Sequence, residues 1–490
     1  MGNTVVLSRI NPETGGRIFL DMRTDIMKKN VLFSAAAACG IALSLTACIS
    51  SKPPAAISKN NYSTIQVDEH QTLPPDLKYL TLSEAQDIAV QNNPSFRQAY
   101  FAIVAARAQY YSAYTYYLPT VSTYVKFGQK HNEFLKAGYG PDTTGFTTTA
   151  GLNVQLTVFD SFVREMNILG ARHSWKQTVE AENDARRLLI RNVATAYNNV
   201  LLAAAQIRIA DANMKFQWQL LKETELKFAV GASPLSDVLN FKTKYNSAEN
   251  DLYSAQYNYV TSKYALAALM GLTEGDIPST VRFPDMPTAD GEMLSDINVY
   301  LDTALANRPD LKGAREAVEV ARYNYYSSIA NFGPTVNFNF GIEVGNYNTY
   351  THSVGTRDRY NQYNWNWGFD VSWTLFAGGR RYLNMRQQEA LLTKADYAAE
   401  SQWITVIQEV RTAYDNYVTS LKQVKLNQKN LEIVRKMRDL VNEEYIAGSK
   451  GITRLNEAQN DLVSAETTLA YAVINMHNAK AQLQAATDSI

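Results

Sequence analysis

Histidine, cysteine and paired carboxylates are the groups with which a chain could ligate a metal or attack a bond. The five histidines (His70, His131, His173, His352 and His477) are scattered, with no HExxH and no paired-His spacing. The two cysteines, Cys39 and Cys48, both fall in the first tenth of the 490 residues, so the rest of the chain has no disulfide and no thiolate metal site. No GxSxG turn presents a nucleophile, and Gly138-Tyr139-Gly140 is a lone GxG in a predicted loop rather than a phosphate cradle. These absences exclude a zinc enzyme and a disulfide scaffold, imply no cofactor, and leave no residue set for an enzyme. Charge is balanced at 47 basic and 47 acidic residues, and no Lys/Arg cluster with interleaved aromatics suggests a nucleic-acid partner.

One cysteine nevertheless sits where chemistry is expected. Met27-Lys28-Lys29 is a short basic start, followed by an apolar, alanine-rich run from Val31 to about Leu45. This is the layout of a secretory signal, and the run is too short for a comfortable membrane span of about 20 residues. It ends in Leu45-Thr46-Ala47-Cys48, which resembles the lipobox of bacterial lipoproteins and marks Cys48 as the lipidation site. Residues 1–47 therefore read as a leader whose working start is Met27, and 48–78, with Pro53-Pro54 and Leu73-Pro74-Pro75, as a lipid-anchored linker. Ile49 after the cysteine, rather than Asp, resembles an outer-membrane address.

Beyond the linker the chain is written twice. Asn93-Pro94 recurs as Arg308-Pro309, Ala106-Arg107 as Ala321-Arg322, Tyr110-Tyr111-Ser112 as Tyr325-Tyr326-Ser327, and Pro119-Thr120-Val121 as Pro334-Thr335-Val336, all 215 positions on. Further along the offset becomes 217: Gly151 matches Gly368, Thr195-Ala196-Tyr197 matches Thr412-Ala413-Tyr414, and Gly231 matches Gly448. The repeats span 79–271 and 297–487, with 272–296 as the linker between them. The offset changes within 128–150 and 343–367, which are therefore expected to be solvent loops, because insertions are tolerated there.

Each repeat has one internal order. A helical stretch (82–117, 297–331) comes first, and strict alternation follows. Val336, Phe338, Phe340, Ile342 and Val344 alternate with Asn337, Asn339, Gly341 and Glu343, and Leu152, Val154, Leu156 and Val158 with Asn153, Gln155 and Thr157. Period two with small polar alternates predicts strands with one oily and one wet face. Long proline-free helices are predicted next, over about 161–229 and 379–446, stopping at Gly231 and Gly448 and returning as 235–271 and 453–487. Some 65 residues at about 1.5 Å each reach roughly 100 Å, far more than a globular core needs. Their apolar spacing argues helix-on-helix packing.

Four strands cannot close a barrel, yet only closed barrels cross a bilayer as β structure, so other copies of the chain must complete this one. Tyr347, Tyr350, Tyr360, Tyr363, Trp365 and Trp367, at the loop ends, fit an aromatic belt at the membrane interface. A porin or autotransporter would need more strands in one chain, and a coiled-coil adhesin would need no oily strands.

The duplicated helix–strand–strand–long helix–helix unit resembles the TolC-like outer-membrane efflux channel family over nearly all of 79–487. Leu118-Pro119-Thr120-Val121, Thr374-Leu375-Phe376-Ala377-Gly378-Gly379 and Tyr445-Ile446-Ala447-Gly448 are the most specific segments. The resemblance implies a mixed α/β membrane protein: a homotrimer whose four transmembrane β-strands per chain make one 12-stranded barrel, with a long periplasmic α-helical tunnel. It implies residence in the bacterial outer membrane, partnership with a periplasmic adaptor (membrane fusion) protein and an inner-membrane pump, and export of drugs and toxic small molecules. Type I protein secretion is the alternative, and a structural coiled-coil envelope protein a more distant one. It also implies a gate near the second repeat's turn. By position, Tyr445, Lys450, Arg454 and Glu457 fall there; Lys450 stands where Arg is usual, and Arg454 where an acid is common. The first repeat keeps Asp237 at the equivalent of Arg454. Arg454 and Glu457, three apart on one helix, are neighbours, and Glu457 is expected to contact a cation from Lys450 or Arg454.

Overall fold

The computed structural model describes Leu73 and residues 77–133, 142–287, 295–352 and 354–489; Cys39, Cys48 and the leader lie outside these. The first repeat contains α1 (Leu82–Asn92), α2 (Pro94–Tyr114), β1 (Thr120–Asn132), β2 (Thr143–Phe159), α3 (Val163–Ala229) and α4 (Leu235–Leu269). The second contains α5 (Ile297–Asn307), α6 (Pro309–Ala330), β3 (Thr335–Thr351), β4 (Thr356–Ser372), α7 (Arg380–Ile446) and α8 (Ile452–Thr487). The chain divides into a unit built on residues 120–155 and 338–368, holding most of the sheet, and a helical unit built on 67–119, 156–337 and 369–490.

In the helical unit, the expected first helix of each repeat is two helices. The break falls at Asn93-Pro94 and at Arg308-Pro309, where the residue before proline is pushed out of the helical region and proline lacks a donor. The break is used. Asn93 caps α2 by accepting from the amides of Ser95 (2.9 Å) and Phe96 (3.1 Å), while its side-chain amide donates to the Leu269 carbonyl at the end of α4 (2.8 Å). Arg308, 215 positions on, donates to the Ala486 carbonyl at the end of α8. Leu269 and Ala486 themselves correspond, so one residue in each copy ties off the return helix. α1 has its own capping box, in which Thr81 and Glu84 satisfy each other's backbone amides.

Arg308 is almost wholly buried and carries the heavier load. It pairs with Asp310 and, at 2.7 Å, with Glu409, while Arg187 reaches the Ala485 carbonyl (2.6 Å). Burial pushes the Asp310 carboxyl up, but the hydrogen bonds and charge of Arg308, with Arg187 and the Leu311 amide, outweigh it and hold the group below its ordinary range.

Two cores repeat the duplication. One gathers Ala89, Val193, Ala196, Tyr197, Leu266 and Met270; the other gathers Ala304, Val410, Ala413, Val473, Met476 and Leu483. Ala89/Ala304, Val193/Val410 and Ala196/Ala413 are matched positions. Small residues let the long helices approach closely, α3 lying along α4, α6 and α8, and α7 along α6 and α8.

The sheet has the order β1-β2-β3-β4, with β1 and β4 at its edges. β1 and β2 pair antiparallel without a break from Thr120↔Gln155 to Asn132↔Thr143. Across β3 and β4, Thr335 meets Ser372, Asn346 meets Asn361 (2.8 Å) and Tyr347 stacks on Tyr360, so one register runs the whole length. The expected loops 128–150 and 343–367 are therefore corrected: most of both spans is strand. β1 ends at Asn132 and β2 begins at Thr143; β3 ends at Thr351 and β4 begins at Thr356. A shift in repeat offset locates where a length changed, not how far a loop extends. The Asn, Thr and Tyr that look loop-like in 343–363 lie on pleated strands, distributed over both faces.

Both copies enter the long helix through the same left-handed turn. Gly378 and Gly379 take φ of 62° and 81°; their counterparts Ser161 and Phe162 take 58° and 71° without being glycine. Ser161 is held by its hydroxyl donating to the Pro334 carbonyl (2.7 Å). Beside that turn, Arg164 donates to the carbonyls of Thr157 (2.7 Å) and Val158 (3.1 Å). An added Cβ at Gly379 meets open space, so its cost is backbone conformation alone. Gly379→Ala should destabilise the protein by about 1 kcal/mol, as left-handed geometry costs roughly 1–2 kcal/mol per L-residue. Gly368→Ala, also in open space but at ordinary φ, should change the thermal unfolding midpoint much less.

Candidate functional site

The two turns at the ends of the long helices are built alike. In α3 the Ala232 amide bonds back to the Lys227 carbonyl (2.7 Å) and Gly231 takes φ 75°. In α7 the Ser449 amide bonds to the Glu444 carbonyl (2.9 Å) and Gly448 takes φ 77°. Both are Schellman endings, in which a left-handed glycine lets the chain satisfy the helix's last carbonyls and turn back. Behind them, α3 (Leu220, Leu221), α4 (Phe241), α7 (Val441) and α8 (Leu455, Ala458) meet in a third core, with Tyr445 packed on its rim.

Tyr445 is the residue the two repeats share. Lys227 of α3 donates to the Tyr445 hydroxyl (2.9 Å), lies 4.7 Å from its ring centre, and pairs with Glu223 (2.8 Å). The hydrogen bond to Glu223, then that to Tyr445, raises the lysine pKa, so it stays charged across the physiological range. Neither Lys227 nor Glu223 was identified from sequence. The signal was there: Lys227 corresponds to Glu444, so the two turns carry opposite charges at that position, as they also do at Asp237 and Arg454. The cation that holds Tyr445 comes from the other repeat.

The remaining residues separate into two places. Arg454 donates to Glu457 at 3.0 Å within α8, both well exposed. Lys450 makes no ion pair among the described residues; its amide bonds to the Glu444 carbonyl (3.3 Å). Asp237, at the start of α4, accepts from the Ser233 hydroxyl (3.1 Å). An exposed salt bridge such as Arg454–Glu457 contributes at most about 1 kcal/mol in one protomer. Around the first turn Leu226, Val230, Leu235 and Leu239 are all more than half exposed, an apolar knuckle that Ile446 joins from the second turn.

In the sheet unit, strand alternation sorts the six belt residues. Tyr363, Trp365 and Trp367 continue the oily row of β4, and Tyr350 that of β3, beside Val344 and Ile342. Tyr347 and Tyr360 lie on the polar row with Asn339 and Glu343, stacked at 5.1 Å and 11°. The six therefore do not form one ring at the loop ends: they sit inside strands, on two faces. On the oily face Val121, Val125, Phe127, Phe146, Trp365, Trp367 and Phe369 are each more than half exposed. Water would not support that area of bare aromatic and aliphatic surface. On the polar face Tyr124 covers Gly151, donates to Glu343 (2.7 Å) and receives the Lys126 ammonium over its ring. β2, β3 and β4 have 17 residues each, more than the roughly 9–11 a bilayer crossing requires. No helix among the described residues is long and apolar enough to cross a membrane.

Comparison with known proteins gives this arrangement a family. The outer membrane efflux protein family matches residues 86–272 and 300–488, one match for each repeat. The alkaline protease secretion protein AprF of Pseudomonas aeruginosa is 24% identical over 349 residues, covering 70% of this chain and 69% of that one. The cation efflux system protein CusC of Escherichia coli K12 is 24% identical over 392 residues, covering 78% and 80%. The crystal structure of a membrane protein from Pseudomonas aeruginosa superposes with a TM-score of 0.71 at 20% identity, covering 83% and 93%. With both repeats matched and the paired strands and long helices in place, the chain belongs to the outer membrane efflux protein family and is an outer-membrane channel protein.

Proposed function

We propose that the chain works as a lipid-anchored homotrimer, the exit duct of an export machine completed by a periplasmic adaptor and an inner-membrane pump. The observation that carries this is the four-stranded sheet with an exposed oily face and two unpaired edges. Buried in hydrocarbon, each unpaired backbone group costs several kcal/mol. Edge-to-edge closure by three copies removes that cost and gives twelve strands with the Tyr124–Glu343 face lining the lumen. The apolar knuckle of Leu226, Val230, Leu235 and Leu239 suits the adaptor. Cys48 carries the anchor, which mass spectrometry of the mature N-terminus should reveal as a lipid mass shift absent from Cys48→Ala. An unmodified cysteine in the wild type would remove the anchor from this reading.

The turns of α3–α4 and α7–α8 are read as the periplasmic gate. Tripled about one axis, Arg454 and Glu457 place rings of opposite charge next to each other, and Lys227–Tyr445 latches the second repeat to the first. In planar bilayers Glu457→Ala should raise single-channel conductance by leaving three cations unpaired, whereas Asp237→Ala should change it less. Tyr445→Phe, which keeps the ring and removes the hydroxyl that Lys227 bonds, should also raise it. If all three leave conductance and its salt dependence as in the parent, the gate lies elsewhere.

The cargo is read as small toxic compounds. The name of AprF, a protease secretion protein, supports protein export as the second reading. Cells lacking the gene should accumulate a lipophilic cationic dye to a higher level, reversed by the intact gene. Unchanged dye levels with loss of one secreted protein from the medium would favour the second reading.

A further inference from the structure

The far end of the sheet brings together two histidines that lie 221 positions apart. His131 is the penultimate residue of β1, directly opposite Thr144 of β2 in the register. His352 opens the turn between β3 and β4, and its amide is bound by the Asp142 carbonyl (2.8 Å). Both imidazoles address one atom. His131 Nδ1 and His352 Nε2 each lie 2.9 Å from the Thr144 hydroxyl oxygen, with ring centres 5.8 Å apart. Tyr350 meets the His352 ring edge-on at 4.9 Å. Both histidines are exposed to solvent.

We infer that His131 and His352 form a two-imidazole site for a divalent transition-metal cation, which clips the first hairpin to the second. The two nitrogens share a neighbour at 2.9 Å, so they are no more than twice that distance apart. Adjacent nitrogen ligands at about 2.0–2.1 Å lie roughly 2.9 Å apart in the tetragonal geometry of Cu2+ and roughly 3.3 Å apart around a tetrahedral ion. Rotation of two exposed side chains covers that difference. Threonine already aims both nitrogens inward, each taking one end of a hydrogen-bonded chain. Metal binding requires both rings neutral, with the remaining protons on His131 Nε2 and His352 Nδ1. Among the described residues no group of three or more His, Cys, Asp or Glu is placed to hold a metal ion, so water, with or without the Thr144 hydroxyl, completes the coordination here. Imidazole donors without carboxylate or thiolate favour Cu2+ over Zn2+ and Ni2+ by the usual order of divalent affinities, and disfavour Ca2+ and Mg2+, which take oxygen ligands. The site does not depend on which cargo the channel carries.

The test is a Cu2+ titration of the full chain, purified in detergent at about pH 7.5, above the ordinary imidazole pKa of about 6.5. Electron paramagnetic resonance should show one ion per protomer with hyperfine structure from two nitrogens. His131→Gln and His352→Gln should each weaken binding at least about tenfold and leave one-nitrogen structure. Losing a ligand costs no less than losing the partners that orient one, at 10–100-fold. His173→Gln, whose ring instead pairs with Glu316 at 2.6 Å, should leave the signal unchanged. Chemical crosslinking of each variant checks that assembly is intact. Binding that survives in the His131→Gln/His352→Gln double variant, or a wild type with no stoichiometric ion, overturns the assignment.

Discussion

Hydrocarbon gives a peptide group nothing to bond, and most of this structure follows from that. The sheet has an oily face that water would reject and two edges that a bilayer would reject. Neither can be satisfied inside one chain. A four-stranded sheet is therefore a fraction of a structure, and assembly is the condition for the strands to exist where they are. The polar face, with Tyr124 laid over Gly151 and bonded to Glu343, has the opposite requirement: it needs water or polar neighbours.

The helices solve a different problem with the same duplicated text. A hairpin of roughly 100 Å cannot be stabilised by propensity alone, so each is held along its length by small-residue cores and tied at its root. In the first copy the tie is an asparagine amide; in the second it is a buried arginine with two carboxylates. The buried pair is costly to expose, and removing one partner leaves the other charge stranded. Duplication supplied the position, and each copy then found its own chemistry for it.

The parts of the fold that are periodic were legible: both long helices begin and end within two or three residues of where their patterns do, and the strands 152–158 and 336–344 alternate as expected. Hairpin extent was not, because a strand with a wet face uses the same Asn, Thr and Tyr that loops use. Within the candidate site, the contact of Arg454 with Glu457 followed from spacing, which a single helix fixes, whereas Tyr445 was placed there by the family resemblance alone. Lys227 did not, since its contact to Tyr445 depends on how two helices from different repeats face each other. The same reason hid His131 and His352, which no local spacing relates. Sequence periodicity reports one element's faces and says nothing of which faces meet.

The paired turns at Ser161-Phe162 and Gly378-Gly379 have a thermal consequence. The first copy stores its cost in the folded state, as steric strain against a side chain, and that term hardly changes with temperature. The second copy is unstrained when folded, but its glycines free more conformations in the unfolded chain, an entropic term whose weight grows as the temperature rises. Two backbones of the same shape thus fail by different routes. On warming, the entry to α7 loses ground relative to the entry to α3, so the pseudo-twofold likeness of the halves is a property of their geometry and not of their melting.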